Sequence, residues 1–425
     1  MRITELGLKN IGVFESLKLR FSGDREKGKA EIHIFTGENG TGKTTLLESL
    51  TYFDELLNPS REDRYGNRKK VSGLLKKARR DSEHANITLL FEHARLDMNL
   101  SSDRVLQGAN LDRINRIYGK SSEGGKSDYG YYAYGSHFEL TDSRVEAFRR
   151  FEFDPIDEAL SLRKSGSSTG LFQWIANNKT RSALSFQKGD LSRSKKYLAV
   201  IQQVEAAIGA IIDRNIEFVI DEDSLDVQIK LGNEYVHFSS LAAGYASIFA
   251  WLTDLLFRLD YMPLESRDRF TLFLDEIDIH LHPAAQRRIL PVIQGLFPRA
   301  QIFLTTHSPF VIGSVDGAWV YKFKLNEKGQ SVLEEEPFQS EDSNSYRQIL
   351  ERVFGIDQHF GISVEKTLKE FYKARDEFLS TDSEERLASL LEIARELASQ
   401  SAEMRAIIGS EIRQISKLTK KEVTL

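Results

Sequence analysis

The chain has 425 residues, of which 40% are hydrophobic and 28% are charged, and its formal net charge is −5. This balance is typical of a globular protein of two or three units and excludes a largely disordered chain. The negative net charge argues against a protein that coats nucleic acid without sequence preference, but it leaves room for a local basic surface. The sequence contains no cysteine, which excludes disulfides, thiol catalysis and cysteine-ligated zinc and is typical of a reducing compartment.

The apolar stretches of the sequence predict neither export nor membrane insertion. Residues 1–14, MRITELGLKNIGVF, lack the long apolar core of a signal peptide. The most apolar later stretch, 246–257, contains Asp254 and is too short to span a bilayer. We therefore expect a soluble, cytoplasmic protein.

A glycine-rich loop connects a predicted buried strand to a predicted helix. Residues 31–35 alternate as a strand does, and GENGTGKTT after them matches the pattern G-x-x-x-x-G-K-[ST] before a helical pattern at 45–50. Such a loop wraps phosphates with backbone N–H groups at a helix N-terminus, while its lysine reaches the β- and γ-phosphates and its threonine, here Thr44, holds Mg2+. The alternative is a plain glycine turn between strand and helix. The full pattern favours ATP and Mg2+ as cofactors, and the candidate residues are Gly37, Glu38, Asn39, Gly40, Thr41, Gly42, Lys43, Thr44 and Thr45.

Two carboxylates end an unbroken hydrophobic run at 270–274. A run that is apolar on both faces is typical of a central strand in a parallel sheet, and Asp275 and Glu276 follow it directly. Beside bound phosphates, Asp275 can hold Mg2+ through water, and Glu276 can orient and deprotonate the attacking water. The alternative is that both carboxylates only cap the next helix, but the phosphate loop upstream favours the catalytic interpretation.

A histidine follows a further buried strand pattern in QIFLTTHSPF, residues 301–310. At a strand end beside the same site, His307 can contact the γ-phosphate and sense its presence. A lone histidine is more often structural, but its position after a buried strand favours a functional role here.

The three elements GENGTGKTT, LFLDEID and LTTHSP, in this order, resemble the ABC-type ATPases, including the RecF-like and chromosome-maintenance proteins. In that family a signature loop lies a short helix upstream of the acidic strand, and LAAGY at 241–245 resembles its LSSGY variant. The resemblance implies that Gly244 and the helix after it meet the γ-phosphate held by an opposite subunit. One chain carries one phosphate loop and one signature, so the resemblance implies at least a homodimer.

The signature loop departs from the family at one position. The family's serine, whose hydroxyl contacts the γ-phosphate, is replaced by Ala242, while Ser239 and Ser240 lie two or three positions too early. One charge-assisted hydrogen bond is worth about 1.5–3 kcal/mol, or a roughly ten- to hundred-fold change in a rate. The helix N-terminus and the backbone amides remain, with Ala242 and Gly244 as the candidate contacts. We therefore expect ATP to bind well and to be hydrolysed slowly.

The expected fold is α/β: an ABC-type P-loop ATPase sheet with antiparallel strands and a helical insertion, followed by a C-terminal all-helical region. Three short strand patterns, 216–220, 225–231 and 235–238, lie between the insertion and the signature. The expected divisions are 1–140 for the N-terminal ATPase part with the phosphate loop, 141–213 for the helical insertion, 214–336 for the ATPase part with signature, acidic strand and histidine, and 337–425 for a helical interaction region.

Two basic regions, 61–80 and 181–196, are candidate paths for a nucleic-acid backbone. The alternative for each is a solvated or partner-facing surface. The run HLHP at 280–283 has no third metal ligand nearby in sequence, and the resemblance places it at the loop where ABC subunits touch.

The sequence after His307 separates the remaining functional classes. A transporter ATPase would be shorter, and an ATPase joined to a Toprim nuclease needs a second set of acidic motifs that these helical patterns lack, so we expect no intrinsic nuclease activity. The helical tail and the overall arrangement resemble the PtuA family of the Septu anti-phage system, whose partner, PtuB, is an HNH endonuclease. This resemblance implies an oligomeric, nucleotide-sensing scaffold that holds a nuclease in check. The alternatives are a RecF-like repair ATPase that binds DNA itself and the ATPase family of the PARIS defence system, AriA.

Overall fold

The structure is a computed structural model. It describes residues 1–21, 28–54, 84–100, 105–106, 128–136, 138, 155, 159–160, 162, 168–222, 224, 226–341, 345–357, 360–381, 383–419 and 423–424. The first basic region, 61–80, lies outside the described residues. The chain divides into a larger unit, Met1–Ile349, and a smaller unit, Leu350–Leu425.

The described residues form fifteen strands. In chain order they are β1 (Ile3–Ile11), β2 (Phe14–Arg20), β3 (Glu31–Gly37), β4 (Ala85–Phe91), β5 (Ala94–Leu100), β6 (Val105–Leu106), β7 (Gly130–Gly135), β8 (Ile216–Ile220), β9 (Val227–Leu231), β10 (Glu234–Val236), β11 (Phe270–Asp275), β12 (Gln301–Thr305), β13 (Trp319–Leu325), β14 (Ser331–Leu333) and β15 (Phe338–Gln339).

Up to residue 340 the α-helices of the described residues are interspersed among these strands, and after it only helices follow. In chain order they are α1 (Lys43–Thr51), α2 (Ser168–Gln187), α3 (Leu191–Ile212), α4 (Ala243–Tyr261), α5 (Pro283–Leu296), α6 (Pro309–Ile312), α7 (Tyr346–Phe354), α8 (Ile362–Thr381), α9 (Glu384–Gln400) and α10 (Ala402–Thr419).

A largely parallel sheet forms the centre of the larger unit. Its strands follow the order β14-β13-β3-β12-β11-β7, and β15 also pairs with β13. The neighbours from β13 to β7 run parallel, so the carboxyl ends of β3, β12 and β11 lie side by side at one edge. Strands β11 and β12 are buried along their whole length, as is usual for strands that are covered on both faces.

An antiparallel sheet packs against one face of the parallel sheet. Its strand order is β2-β1-β4-β5-β6, and the shared core includes Leu6 and Leu89 from this sheet. The parallel sheet contributes a row of stacked rings, in which Phe303 lies 6.2 Å from Phe35 and 5.5 Å from Phe273 between ring centroids. Removal of this apolar area from water stabilises the strands that carry the loops at the carboxyl edge.

Helix α4 packs on the opposite face, where the ring of Trp251 lies 6.1 Å from that of Tyr134 in β7. All its residues from Ser247 to Leu259 are buried, which explains why the sequence is apolar around the whole helix. A buried ion pair within this helix joins Arg258 Nε to Asp254 Oδ2 at 2.6 Å, and the Tyr134 hydroxyl donates to the same oxygen at 2.8 Å. The paired charges therefore lie inside the core with hydrogen-bonding partners.

A helical hairpin and a small sheet flank α4. Helices α2 and α3 form the hairpin, and β10, β9 and β8 form a three-stranded antiparallel sheet. The rings of Phe172, Phe218 and Phe238 join the two, with Phe238 lying 4.7 Å from Phe172 and 6.0 Å from Phe218.

The smaller unit is helical. Helices α8, α9 and α10 carry apolar residues at helical spacing, and these form a core of their own that includes Phe371, Leu390, Leu397, Ile408 and Ile412. The expected fold class is confirmed: a P-loop-type α/β sheet with antiparallel strands, a helical insertion and a C-terminal helical region. Among the described residues, no helix is both long and apolar enough to cross a membrane.

Candidate functional site

Three loops meet at the carboxyl edge of the parallel sheet. Strand β3 leads into the glycine-rich loop, β11 ends at Asp275, and β12 ends at Thr305. The strand register places Thr305 beside both Asp275 and Phe35. The elements that the sequence predicts to act together therefore lie on three adjacent strands.

The backbone of the glycine-rich loop requires glycine at two positions. Gly42 has φ +87°, and a Cβ there would lie 2.6 Å from Val13 Cγ2. Gly37 has φ +141°, and a Cβ there would lie 2.2 Å from the carbonyl oxygen of Phe323. Both values lie in the region that only glycine enters without strain. Glu38, Asn39 and Gly40 at the loop tip are exposed, and Thr41, Thr44 and Thr45 follow at the start of α1.

Lys43 folds back over this loop. Its ammonium donates to the carbonyl oxygens of Gly37 and Glu38, each at 3.0 Å, and the residue is only 5% exposed. Burial lowers the pKa of Lys43, while the negative charges of Glu276 and Asp275 oppose that shift. The lysine therefore places a positive charge between the glycine loop and the acidic strand end.

Thr44, Asp275 and Thr305 form a short hydrogen-bonded chain. Asp275 Oδ1 accepts from Thr44 Oγ1 at 3.1 Å and from Thr305 Oγ1 at 2.6 Å. Burial raises the pKa of Asp275, and these two hydrogen bonds act in the opposite direction. The contact joins residues that are 231 positions apart, and it sets the start of α1 against the end of β11.

Glu276 and His307 face each other beside this chain. Glu276 has φ +50°, a value that is unfavourable for a residue with a side chain and that occurs more often at functional sites. Its backbone N–H donates to Thr305 Oγ1 at 3.0 Å, and its Oε1 lies 3.6 Å from His307 Nε2. Burial and then the nearby Lys43 charge lower the pKa of His307, which favours a neutral imidazole at neutral pH.

The predicted signature loop lies at the start of α4. Ala242 is the N-cap residue and gives the helix no side-chain cap. Gly244 lies against the loop that follows β11, where a Cβ would lie 2.3 Å from the carbonyl oxygen of His280. In the described part of the chain, no hydrogen bond links Ala242 or Gly244 to the glycine-rich loop.

The second basic region, 181–196, comprises the end of α2, the turn after it and the start of α3. Its cations are all exposed, and they are Arg181, Lys188, Arg193, Lys195 and Lys196. Phe186 in the same region is 64% exposed. The histidines of the HLHP run do not form a metal cluster, since no group of three or more possible metal ligands occurs among the described residues. His282 instead caps α5 by accepting from Ala284 N at 3.3 Å.

Sequence reasoning missed Thr305. The residue binds Asp275 and the backbone of Glu276, yet a threonine at the end of an apolar run is unremarkable by itself. The available signal was the position of LTTH beside LFLDE in a parallel sheet, because parallel neighbours bring their carboxyl ends together.

Two family models match the chain. The model described as AAA domain matches residues 5–231, more than half of the chain. A second AAA domain model, described with the AbiEii toxin of type IV toxin–antitoxin systems, matches residues 191–313. Together they cover the glycine-rich loop, the acidic strand end and His307.

Several curated relatives are similar along most of the chain. The Septu protein PtuA of Bacillus thuringiensis is 25% identical over 399 residues, covering 88% of this chain and 89% of that protein. The Retron Ec83 probable ATPase of Escherichia coli is 22% identical over 399 residues, covering 77% of this chain and 72% of that protein. The Retron Vc95 probable ATPase of Vibrio cholerae serotype O1 biovar El Tor is 23% identical over 397 residues, covering 76% and 75%.

The resemblance to the PtuA family, expected from the tail and the overall arrangement, is thereby confirmed. Among solved structures, the chain is similar to an SmcHead bound to the C-winged helix domain of ScpA, with TM-score 0.47 and 13% identity over 81% of this chain and 98% of that chain. Because the first AAA domain model matches more than half of the residues of this chain, the chain belongs to the AAA domain family.

Proposed function

We propose that this protein binds ATP and Mg2+ at the carboxyl edge of its parallel sheet and hydrolyses the nucleotide slowly. The observation that carries this proposal is the convergence of Lys43, Thr44, Asp275, Glu276 and His307 from three adjacent strands. Membership of the AAA domain family supports it.

The residues at this edge fit a magnesium nucleotide. Mg2+ prefers octahedral oxygen ligands and usually keeps several of its waters. Thr44 Oγ1 would bind the ion, and Asp275 Oδ1, 3.1 Å from that hydroxyl oxygen, would hold it through water, so that Mg2+ would neutralise phosphate charge. The N–H groups from Gly40 to Thr45 lie at the N-terminal end of α1, which favours anions.

The catalytic roles follow from the same geometry. Glu276 is the candidate base for the attacking water, since its carboxylate lies at the strand end beside Asp275. His307 would contact the γ-phosphate. The lack of a side-chain hydroxyl at Ala242, the N-cap of α4, supports slow turnover, because the contact across a subunit interface would rest on backbone groups alone.

A complete site would need two copies of the chain. Ala242 and Gly244 carry no hydrogen bond to the glycine-rich loop in the described part of one chain, and Ile279 and His280 beside Glu276 are exposed. We therefore propose a homodimer or higher oligomer, in which the signature of one copy meets the γ-phosphate of the other. ATP would then hold the copies together.

The similarity to Septu protein PtuA along most of the chain supports a role in anti-phage defence. We propose that the protein is the sensor and scaffold subunit of a defence complex and regulates a partner HNH nuclease of the PtuB type. DNA would be reached through that partner or through the basic regions 61–80 and 181–196. A PARIS-type ATPase resembling AriA is the alternative within defence systems, and it would act on a different effector.

Equilibrium binding of ATP with Mg2+ tests the proposal, with Lys43→Ala as the negative variant and Glu276→Gln as a variant that binds without hydrolysis. The mass of the protein is measured in the same samples, with and without an HNH nuclease of the PtuB type. We expect ATP to increase the fraction of oligomer in the wild type and in Glu276→Gln. We also expect the nuclease to bind to this oligomer. ATP binding that survives in Lys43→Ala would contradict the site, and a nuclease that stays free would contradict the defence role.

The second basic region, 181–196, favours one alternative, a RecF-like ATPase that binds DNA directly. Its five exposed cations and exposed Phe186 are suited to phosphate contact and base stacking. In that case DNA would stimulate hydrolysis, and Lys195→Glu together with Lys196→Glu would abolish the stimulation. A turnover rate that DNA leaves unchanged argues against this alternative.

A further inference from the structure

A closed ring of hydrogen bonds holds the backbone on both sides of His307. Thr306 Oγ1 donates to Asp278 Oδ2 at 2.7 Å and itself accepts from Ser308 N at 2.9 Å. Ser308 Oγ donates to Gln286 Oε1 at 2.7 Å. Gln286 Nε2 closes the ring by donating to the carbonyl oxygen of Asp278 at 2.9 Å.

Gln286 is the member of this ring that joins three segments. It lies on α5, its amide oxygen faces the loop after β12, and its amide nitrogen faces the loop after β11. There the nitrogen also donates to Leu281 O at 3.0 Å. The partners fix the orientation of the amide, because only nitrogen can donate to two carbonyls and only oxygen can accept from the hydroxyl. A carboxylate at this position would direct negative charge at two carbonyl oxygens.

Three of the four residues of the ring are shielded from water, and Gln286 is half-buried. Thr306 is fully buried, and Asp278 and Ser308 are 5% and 6% exposed. Hydrogen bonds in such surroundings strengthen one another, and an unpaired buried polar group is costly. The loss of one member is therefore expected to disturb the whole ring. It should also disturb His307, which lies between Thr306 and Ser308 in the chain.

We infer that Gln286 is a positioning residue for His307: through Ser308 and Thr306 it fixes the backbone that keeps the imidazole 3.6 Å from Glu276. This inference deepens the proposed function and rests on it for the role of His307 at the γ-phosphate. Gln286 itself touches neither His307 nor Glu276 by hydrogen bond in the described chain.

The matched pair of substitutions Gln286→Glu and Gln294→Glu tests this role in the full chain. Both change one amide to a carboxylate on α5, but the half-buried Gln294 lies outside the ring. The first readout is the pH titration of His307 without nucleotide, monitored by nuclear magnetic resonance. The His307→Ala variant assigns the signal. The second is single-turnover hydrolysis of ATP, measured beside the ATP dissociation constant.

For Gln286→Glu we expect the His307 signal to move and its pKa to rise toward the ordinary value, since a released imidazole gains contact with water. We expect single-turnover hydrolysis to slow about ten-fold or more, as for a misplaced catalytic group, with the ATP dissociation constant within about two-fold. Gln294→Glu is expected to match the wild type in each. A folded Gln286→Glu protein with an unchanged His307 titration, or with an unchanged single-turnover rate, would overturn the inference.

A second pair of variants serves if Gln286→Glu does not fold. Thr306→Val removes the ring hydroxyl, whereas Thr306→Ser keeps it, so only the valine variant is expected to shift His307. Equal His307 titrations in the two variants would contradict the role of the ring. Failure of the proposed function is a separate result: the wild type would then bind no ATP, while the nucleotide-free His307 titration would still decide whether Gln286 positions the histidine.

Discussion

Gly244 at the start of α4 lies so close to His280 that a Cβ would lie 2.3 Å from the histidine carbonyl oxygen and 3.0 Å from its carbonyl carbon. The glycine of the predicted signature loop is therefore required by packing within its own chain, in addition to any contact across a subunit interface. The contact seats the N-terminal end of α4 on the loop that follows Glu276.

The first prediction concerns this contact. Gly244→Ala should destabilise the larger unit by about 1–3 kcal/mol, because the new methyl group meets backbone atoms that cannot rotate away. Gly295→Ala on α5 is the control, since no atom lies within 4 Å of a Cβ at that position, and it should be neutral or stabilising by up to about 1 kcal/mol. Denaturant unfolding measures both. Equal stability of the two variants would show that the helix start adjusts freely.

The second prediction concerns Ala242. Ala242→Ser restores a hydroxyl at the N-cap of α4 and should raise ATP turnover roughly ten- to hundred-fold through one charge-assisted hydrogen bond to the γ-phosphate. Ala243→Ser, the same substitution one residue later at an equally exposed position, should leave turnover unchanged. Steady-state phosphate release compares the two. Equal rates in both variants would place the cause of slow turnover elsewhere.

The third prediction concerns Thr305, which donates to Asp275 and accepts from the backbone N–H of Glu276. Thr305→Val should raise the pKa of Asp275 further and weaken ATP binding in the presence of Mg2+, because the carboxylate loses a donor that favours its charged form. Thr305→Ser keeps the hydroxyl and should bind as the wild type does. Calorimetric titration at several Mg2+ concentrations measures the difference. A Thr305→Val protein with wild-type Mg2+ dependence would contradict the assignment of Asp275 as a magnesium ligand.

The fourth prediction concerns the pH dependence of stability. Burial raises the pKa of Asp278 from 3.8 to about 6, and the hydrogen bond from Thr306 opposes the shift. Between pH 3.8 and about pH 6 the folded protein holds a proton that the unfolded chain has released. The contribution of this carboxyl to stability is therefore fully present below about pH 4 and is lost as the pH rises through about 6. The loss is on the order of 3 kcal/mol at neutral pH.

Asp278→Asn tests this prediction, because an amide keeps the acceptor for Thr306 and carries no charge. The unfolding free energy of the variant minus that of the wild type should increase by about 2–3 kcal/mol between pH 4 and pH 7. Taking the difference removes the contributions of groups that both proteins share. A difference that stays constant across this range would contradict the raised pKa.

Elements that depend on local pattern could be predicted from the sequence. The glycine-rich loop sits between β3 and α1, and the runs before Asp275 and His307 form the buried strands β11 and β12, as their unbroken apolar character indicates. The pattern at 216–220 corresponds to β8 without change. The strand predicted at 235–238 ends earlier, at Val236. A short 3-10 helix begins at Phe238, whose ring packs against Phe172 and Phe218.

The contacts that individual side chains make between distant loops could not be predicted. The ring around His307 joins Asp278, Gln286, Thr306 and Ser308, whose partners lie up to 28 positions apart, and each residue type is common on protein surfaces. The steric need for glycine at 244 likewise depends on a loop that lies later in the chain. Neither composition nor periodicity carries such information, because the strand order decides which loops meet.

The most direct test of the central claim is ATP binding and steady-state hydrolysis measured on the same purified protein, with Lys43→Ala as the control. We predict tight binding that Lys43→Ala abolishes, together with turnover far below about 1 per second, the lower end of the common enzymatic range. Rapid turnover by the wild-type protein would contradict the account of a nucleotide-held scaffold with a weakened signature loop, and absence of ATP binding would contradict the site itself.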